Sequence, residues 1–255
     1  MKAKDKKYWA LISSDWNQCL APSGPFDFVT FTYPFLEQKV DDIFKAYTSN
    51  VISLSEANRR ILAILPNVIT EDQMDVYLDE CFETYSGVSQ LIEWCSESGI
   101  LFMINTTGVQ GYFQRIFKKG LLPGVPVISA SPMVKYDEER ETACLWYDLL
   151  EIQDKSKNTL KVMHSHSLCL PSNKVIVMGD SGGDGPHFEW GAGVGAYLIG
   201  CMTKDSLNKY CNTHDIEISL RFGLSYTKGQ IRDPEKEMRV NFMDLPPLLE
   251  AVLNL

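Results

Sequence analysis

No CxxC pair occurs in this sequence, and its four histidines do not stand at zinc-motif spacing from its seven cysteines, so no structural zinc is expected. Cys19, Cys81, Cys95, Cys144, Cys169, Cys201 and Cys211 are odd in number and sit mostly in apolar segments, where cysteine behaves as a small hydrophobe. Reduced thiols in a cytoplasmic protein are the expectation. No apolar run approaches the roughly 20 residues of a membrane-spanning helix. The basic start Met1-Lys-Ala-Lys-Asp-Lys-Lys7 leads only into the short run Tyr8–Ile12, too short for a signal-peptide core. Positive charge is also scarce: 24 Lys and Arg face 33 Asp and Glu, a formal net charge of -9. That balance argues against nonspecific nucleic-acid binding, which needs cations to neutralise phosphates. It still admits a small phosphorylated molecule, which requires only a local positive or metal-bearing pocket. No internal repeat or low-complexity segment is evident. The composition, 45% hydrophobic and 22% charged, is that of an ordinary globular chain able to bury a core without disulfides. It says nothing about oligomeric state.

What the chain does have is alternation. Tyr8–Ile12 reads as a short buried strand ending in Ser13-Ser14-Asp15. Residues 21–34 hold three prolines and a glycine and read as a loop or linker. Leu36, Val40, Ile43, Phe44 and Tyr47 then recur at helical spacing. Ser53-Leu-Ser-Glu56 and Thr70-Glu-Asp-Gln73 fit capping boxes, the second with Ile69 and Met74 placed as a hydrophobic staple. Residues 34–84 therefore read as an all-helical insert. From Gly87 onward short apolar runs alternate with helical patterns: helix 88–98 closed by Gly99, strand Ile100–Ile104, helix 109–119 stopped by Gly120, strand 125–128, helix from Asn158 to about His166, strand 174–178, strand 195–199, helix 204–213 and helix 245–253. The expected fold class is α/β, a Rossmann-like parallel sheet with helices on both faces plus a small helical cap. The expected domains are a core of residues 1–22 and 86–255 and a cap of residues 23–85. The segment 220–241, weakly periodic and charged, fits an added hairpin or an oligomer contact.

Ligands of such sheets bind beyond the carboxyl ends of the strands. There the sequence places Asp15, Thr106/Thr107 and Asp180/Asp184. Asp180 and Asp184 stand on the Gly-rich turn Gly179-Asp-Ser-Gly-Gly-Asp184, a setting suited to magnesium, which prefers carboxylates and waters; a tight turn with Asp side chains bonded to the backbone is the alternative. Asp15 suits a metal ligand or a nucleophile. Thr106, Thr107 and Gly108 suit either phosphate binding at a helix start or plain N-capping. Lys155, Lys157 and Lys161 precede the carboxylate strand, and one of them could neutralise a phosphate and the nucleophile. His187 follows the turn closely, though a histidine on a helix opening is more often structural. Asp148 and Glu151 read as solvated helix charges.

In order and spacing these segments resemble the haloacid dehalogenase superfamily, mostly metal-dependent phosphatases, over residues of about 8 to 200. The family's apolar strand followed by DxDGT is matched by Ala10-Leu-Ile-Ser-Ser-Asp15-Trp-Asn17-Gln-Cys19. Its strand ending in Ser or Thr is matched by Met103-Ile-Asn-Thr106-Thr107-Gly108, and its upstream lysine best by Lys157. Its GDSxxD is matched in full by Gly179–Asp184. The resemblance implies an aspartyl-phosphate on Asp15, with magnesium held by Asp15, Asp180 and the backbone carbonyl of Asn17, Asp184 touching it or its waters. It also implies Thr106 and Lys157 on the transferring oxygens and substrate choice in the cap. Arg59 and Arg60 on the second cap helix are candidates for a substrate anion, although adjacent helix residues point apart and surface charge is the favoured reading. Trp16, Tyr33 and Phe35 are pocket or packing residues.

One departure bears on chemistry. The family's second aspartate is Asn17 here, and an amide cannot exchange a proton. Losing general acid–base help typically costs about 10²–10⁴-fold. The expectation is a magnesium-dependent hydrolase of a small phosphorylated metabolite with weakened acid–base catalysis. The alternatives are a catalytically impaired phosphate-binding or regulatory protein, or a relative that cleaves carbon–phosphorus or carbon–halogen bonds.

Overall fold

The computed structural model describes residues 7–49, 51–137, 144–168 and 170–254. Its elements run β1 (Ala10–Ser14), α1 (Asp27–Thr32), α2 (Glu37–Thr48), α3 (Leu54–Ile64), α4 (Glu71–Cys81), α5 (Val88–Glu97), β2 (Ile100–Val109), α6 (Gln110–Lys118), β3 (Val127–Ser131), β4 (Leu145–Asp148), α7 (Asp154–Ser165), β5 (Val175–Gly179), α8 (Gly185–Val194), β6 (Tyr197–Thr203), α9 (Asp205–Thr213), β7 (Leu220–Ser225), α10 (Pro234–Glu237) and α11 (Leu245–Leu253). The strands form one sheet in the order β4-β3-β2-β1-β5-β6-β7, and every pairing is parallel. The central strands are apolar because helices cover both faces; all residues of β1, β3 and β5 are buried.

Strand order reverses at β1, which lies between β2 and β5. Ser14 is level with Ile104 of β2 and Met178 of β5. The residues just beyond those partners therefore emerge together at one point of the sheet edge. That convergence is a consequence of register, and it is where α/β sheets form their clefts.

Between β1 and α5 the chain builds the helical insert α1–α4. Ser53 accepts a hydrogen bond from the Glu56 amide at the start of α3, while the Glu56 carboxylate turns to Arg59 and Arg60. Thr70 and Gln73 form a reciprocal capping box at α4, with Ile69 and Met74 both buried. The insert is anchored through α4 to α6: Arg115, buried on α6, pairs with Asp75 at 2.6 Å and with Glu71. From the core, Glu151 accepts from the Leu54 and Ser55 amides at 3.1 and 3.3 Å, capping α3. Glu151 is thus a strut between insert and core rather than a solvated charge, and Asp148 accepts from Gln110 at 2.7 Å.

Two expected segments differ. Residues 27–32, inside the expected loop, form the one-and-a-half-turn helix α1. Residues 220–225 are a parallel edge strand on β6, not half of a hairpin, and in the segment after it Arg232 reaches Asp180 and the Gln18 carbonyl. No helix among the described residues is long and apolar enough to cross a membrane. Cys19, Cys95, Cys201 and Cys211 are buried free thiols.

Candidate active site

At the carboxyl ends of β1 and β5, Asp15, Asp180 and Asp184 converge, all buried, with one oxygen from each within 4.8 Å of the others. Asp15 is fixed by its own amide, which donates to Met178 O at 3.0 Å, and by the Trp16 amide, which donates to Asp15 Oδ1 at 2.8 Å. Asp184 Oδ2 accepts from the Asp180 and Ser181 amides at 3.0 and 3.2 Å. This turn closes only because residue 179 is glycine: a Cβ there would stand 2.5 Å from Asp184 Cγ.

Three cations answer the carboxylates. Lys155 Nζ lies 2.5 Å from Asp184 Oδ1 and 3.2 Å from Asp15 Oδ1. Lys204 Nζ lies 2.7 Å from Asp180 Oδ2, and Arg232 Nη1 lies 3.5 Å from the same oxygen. Burial pushes the Asp15 carboxyl up to about 7, against the pull of Lys155, and Asp184 and Asp180 add to the rise. Burial likewise raises Asp180, opposed by Lys204. Burial alone would lower the Lys155 ammonium, but Asp15 and Asp184 together hold it above the ordinary lysine range.

The lysine beside Asp15 is therefore Lys155, not Lys157. Buried residues of α7 are Lys155, Asn158, Thr159 and Val162, one helical face. Lys157 falls on the opposite face, 64% exposed, and pairs with Asp154 at 2.9 Å. Lys161 donates to Asn158 Oδ1 at 3.2 Å. Beneath the site, Asn105 Nδ2 donates to Ser13 Oγ, Lys155 O and Thr159 Oγ1 at 2.8–3.1 Å, fixing α7 against β1 and β2. His187 is buried behind this network, 3.2 Å from Thr159 Oγ1 and stacked on Trp190; burial, with Lys155 nearby, lowers it to about 3, so it is a neutral structural histidine.

Asn17 lies in the turn after β1, where its Oδ1 accepts from Thr106 Oγ1 at 3.1 Å and its Nδ2 donates to Ser23 O at 3.2 Å. The turn's hydrogen bonds use the carbonyls of Trp16 and Ala21, not that of Asn17. Gln18 adopts φ 61°, the left-handed conformation that glycine takes without strain. Thr106 is buried, whereas half-buried Thr107 lines the cleft. Neither threonine caps α6, which starts after Val109 with no side-chain cap. Gly108 packs against Asn17, and a Cβ there would meet Asn17 Oδ1 at 2.8 Å.

Above these residues opens a cleft of about 750 Å³, lined by Asp15, Asn17, Lys155, Asp180 and Lys204 below and by Phe44 and Tyr47 of α2 above. Arg59 and Arg60 do not reach it: both pair with Glu56 on the outer face of α3, 69% and 46% exposed. Of the three aromatic candidates, Trp16 is wholly buried against Phe113, and Tyr33 meets the exposed Phe35 edge-on, neither of the two lining the cleft. Lys204 was within reach of the sequence, since it directly follows β6 at the functional edge of the sheet. Arg232 arrives on an irregular loop and left no pattern.

An all-oxygen, buried donor set fits a hard divalent cation such as magnesium, whose bonds to oxygen are about 2.1 Å. Asp15 Oδ2 and Asp180 Oδ1 stand outside the pairings described above, whereas both oxygens of Asp184 are engaged.

The seven-stranded parallel sheet, with a helical insert after β1 and carboxylates at the strand ends, is a Rossmann-like α/β fold. No family model and no curated protein sequence matches this chain. Among solved structures, it is similar to a substrate-bound phosphoserine phosphatase (TM-score 0.61, 15% identity, 84% of this chain and 94% of that one). It is also similar to a family hydrolase from Salmonella enterica serovar Typhi (TM-score 0.61, 13% identity, 85% and 68%). A third is cytosolic 5'-nucleotidase IIIB bound to cytidine (TM-score 0.55, 12% identity, 98% and 86%). At such identities the likeness is one of fold.

Proposed function

We propose that this chain is a magnesium-dependent phosphatase of a small phosphorylated metabolite, working through an aspartyl-phosphate on Asp15. The observation that carries the reading is the buried cluster of Asp15, Asp180 and Asp184 bridged by Lys155 at the floor of the cleft. One of the similar structures is a phospho-aspartyl intermediate analogue of phosphoserine phosphatase, which supports the choice of nucleophile.

Asp180 and the Asn17 carbonyl would hold the ion together with the Asp15 oxygen that does not attack, and Asp184 orients the turn. When bound, the ion would supply charge neutralisation at the phosphoryl group. Lys155 opposes the protonation that burial favours at Asp15 and draws the phosphoryl oxygens toward it, and Thr107 lines the same cleft. Phosphoryl transfer depends mostly on such positioning and neutralisation. Residues 23–85 act as the cap, the remainder as the core, and the buried free thiols suit a cytoplasmic setting. The direct test is phosphate release from a panel of phosphometabolites with magnesium and with chelator. Magnesium-dependent release that disappears in Asp15→Asn supports the reading; turnover untouched by that substitution rules Asp15 out as nucleophile.

Asn17 favours a second reading, a phosphate-ligand binding protein with an impaired site. It calls for binding of phosphate analogues without turnover by the native chain, and a large gain of phosphatase rate in Asn17→Asp. A carbon–phosphorus or carbon–halogen cleaving relative would release a different product in the same screen.

A further inference from the structure

Asn17 leaves the site without the proton-exchanging carboxylate that a phosphate monoester with an alcohol leaving group requires. Its amide is held at both ends by Thr106 and Ser23. Several other ionisable groups on the cleft are engaged. Lys155 and Lys204 are ion-paired, the Tyr210 hydroxyl donates to Glu189 at 2.7 Å, and exposed His214 is stacked on the Tyr210 ring at 4.0 Å. Tyr47 differs. It comes from the insert, near the end of α2, and lines the same cleft as Asp15. Its hydroxyl has no hydrogen-bond partner among the described residues and reaches within 3.8 Å of where a Cβ on Gly183 would stand, directly over the carboxylate turn. Phe44, one helical turn back, packs on its ring with centroids 6.3 Å apart.

We propose that Tyr47 is the proton donor and acceptor of this site, taking from the insert the role that position 17 cannot perform. The proposal rests on the phosphatase reading above. In the first step Asp15 Oδ2 forms a bond to phosphorus. The phosphorus–oxygen bond to the leaving group breaks, and the leaving oxygen takes both that electron pair and the Tyr47 proton. The products are an alcohol, an aspartyl-phosphate and a tyrosinate. In the second step a water oxygen bonds to phosphorus and gives one proton to the tyrosinate. The Asp15–phosphorus bond breaks with its electron pair returning to the carboxylate, leaving phosphate and the original enzyme. Burial raises the Tyr47 phenol above its ordinary range, with Lys155 opposing and Asp15 and Asp184 adding. The phenol is therefore protonated at neutral pH.

The test is Tyr47→Phe, which removes the hydroxyl alone, measured across leaving groups. An aryl ester such as p-nitrophenyl phosphate departs without a proton, whereas an alkyl phosphate does not. The expected result is a loss of about 10²–10⁴-fold in kcat/KM for alkyl esters, with kcat/KM for aryl esters, which reports the first transfer alone, kept within a few-fold. In the Tyr47→Phe background, Asn17→Asp should restore alkyl turnover. An equal loss on both ester types, or none, overturns the role of Tyr47 while leaving the phosphatase reading intact. No turnover of any ester by the native chain overturns both.

Discussion

Replacing Lys155 by methionine separates two lysines that stand two residues apart in the sequence. Lys155 is 1% exposed and holds two carboxylates at 2.5 and 3.2 Å. At an effective dielectric of about 20, each contact at roughly 3 Å is a gross attraction of about 5 kcal/mol. Much of that is offset by the several kcal/mol spent desolvating each ion. Removing the cation leaves the carboxylates buried and mutually repelling, and breaking a buried pair in this way costs about 3–5 kcal/mol. At about 2–4 °C per kcal/mol for a chain near this size, Tm should fall by about 6–20 °C. Asp15, already raised by burial, should bind its proton more tightly and lose nucleophilicity. Lys157→Met is the control: an exposed pair three residues apart on a helix is worth only about 0.3–0.5 kcal/mol. Thermal melts followed by circular dichroism, with phosphate-release rates on the same samples, decide the matter. A Lys155→Met protein that melts and turns over like the native one, or a Lys157→Met protein that loses activity, would refute the placement.

Gly179→Ala puts a Cβ 2.5 Å from Asp184 Cγ, so Asp184 must leave the amides it accepts from. Magnesium affinity by calorimetry should weaken about 10–100-fold, and unchanged affinity would mean that Asp184 does not set the turn. His187 has its pKa lowered by burial to about 3, so below about pH 6.5 the unfolded chain takes up a proton that the folded chain refuses. Its contribution makes stability fall as pH drops, by about 2–3 kcal/mol at pH 4.5, and His187→Asn should melt with a visibly flatter dependence between pH 7 and 4.5. Equal slopes in magnesium-free buffer would contradict a buried neutral histidine. Arg115→Met removes the clamp between α4 and α6. It should cost about 1–3 kcal/mol and speed amide exchange within residues 71–81, whereas unaltered exchange there would show that the clamp is not what seats the insert.

The strands that carry the site were readable because they are central. β1, β3 and β5 are buried on both faces, and their apolar runs have no competing explanation. β4 and β7 lie at the sheet edges and mix exposed with half-buried residues, so their runs carry no signal. α8 is hidden by Gly185, Gly191 and Gly193, poor helix formers. Two of these are required by contact: a Cβ on Gly185 would enter the Tyr210 ring at 2.4 Å, and one on Gly191 would meet Leu198 at 2.7 Å. α1 is masked by Pro22, Pro25 and Pro34 on either side of a six-residue helix. The choice of Lys157 over Lys155 followed spacing alone. The burial of Thr159 and Val162 on the Lys155 face is a helical-periodicity signal that favours Lys155, and it depends on knowing which face of α7 meets the sheet. Arg232 and Glu151 act across tertiary contacts from loops, where neither spacing nor periodicity marks them.

The central claim is covalent transfer of phosphate to Asp15. Acid-quenching the native chain during turnover of a radiolabelled phosphate ester with magnesium, then mapping the label by peptide mass spectrometry, tests it most directly. The expected result is an acid-stable, base-labile phosphoryl group on the peptide containing Asp15, absent with chelator and absent in Asp15→Asn. Turnover with no label on the protein, or with the label on another residue, would contradict it.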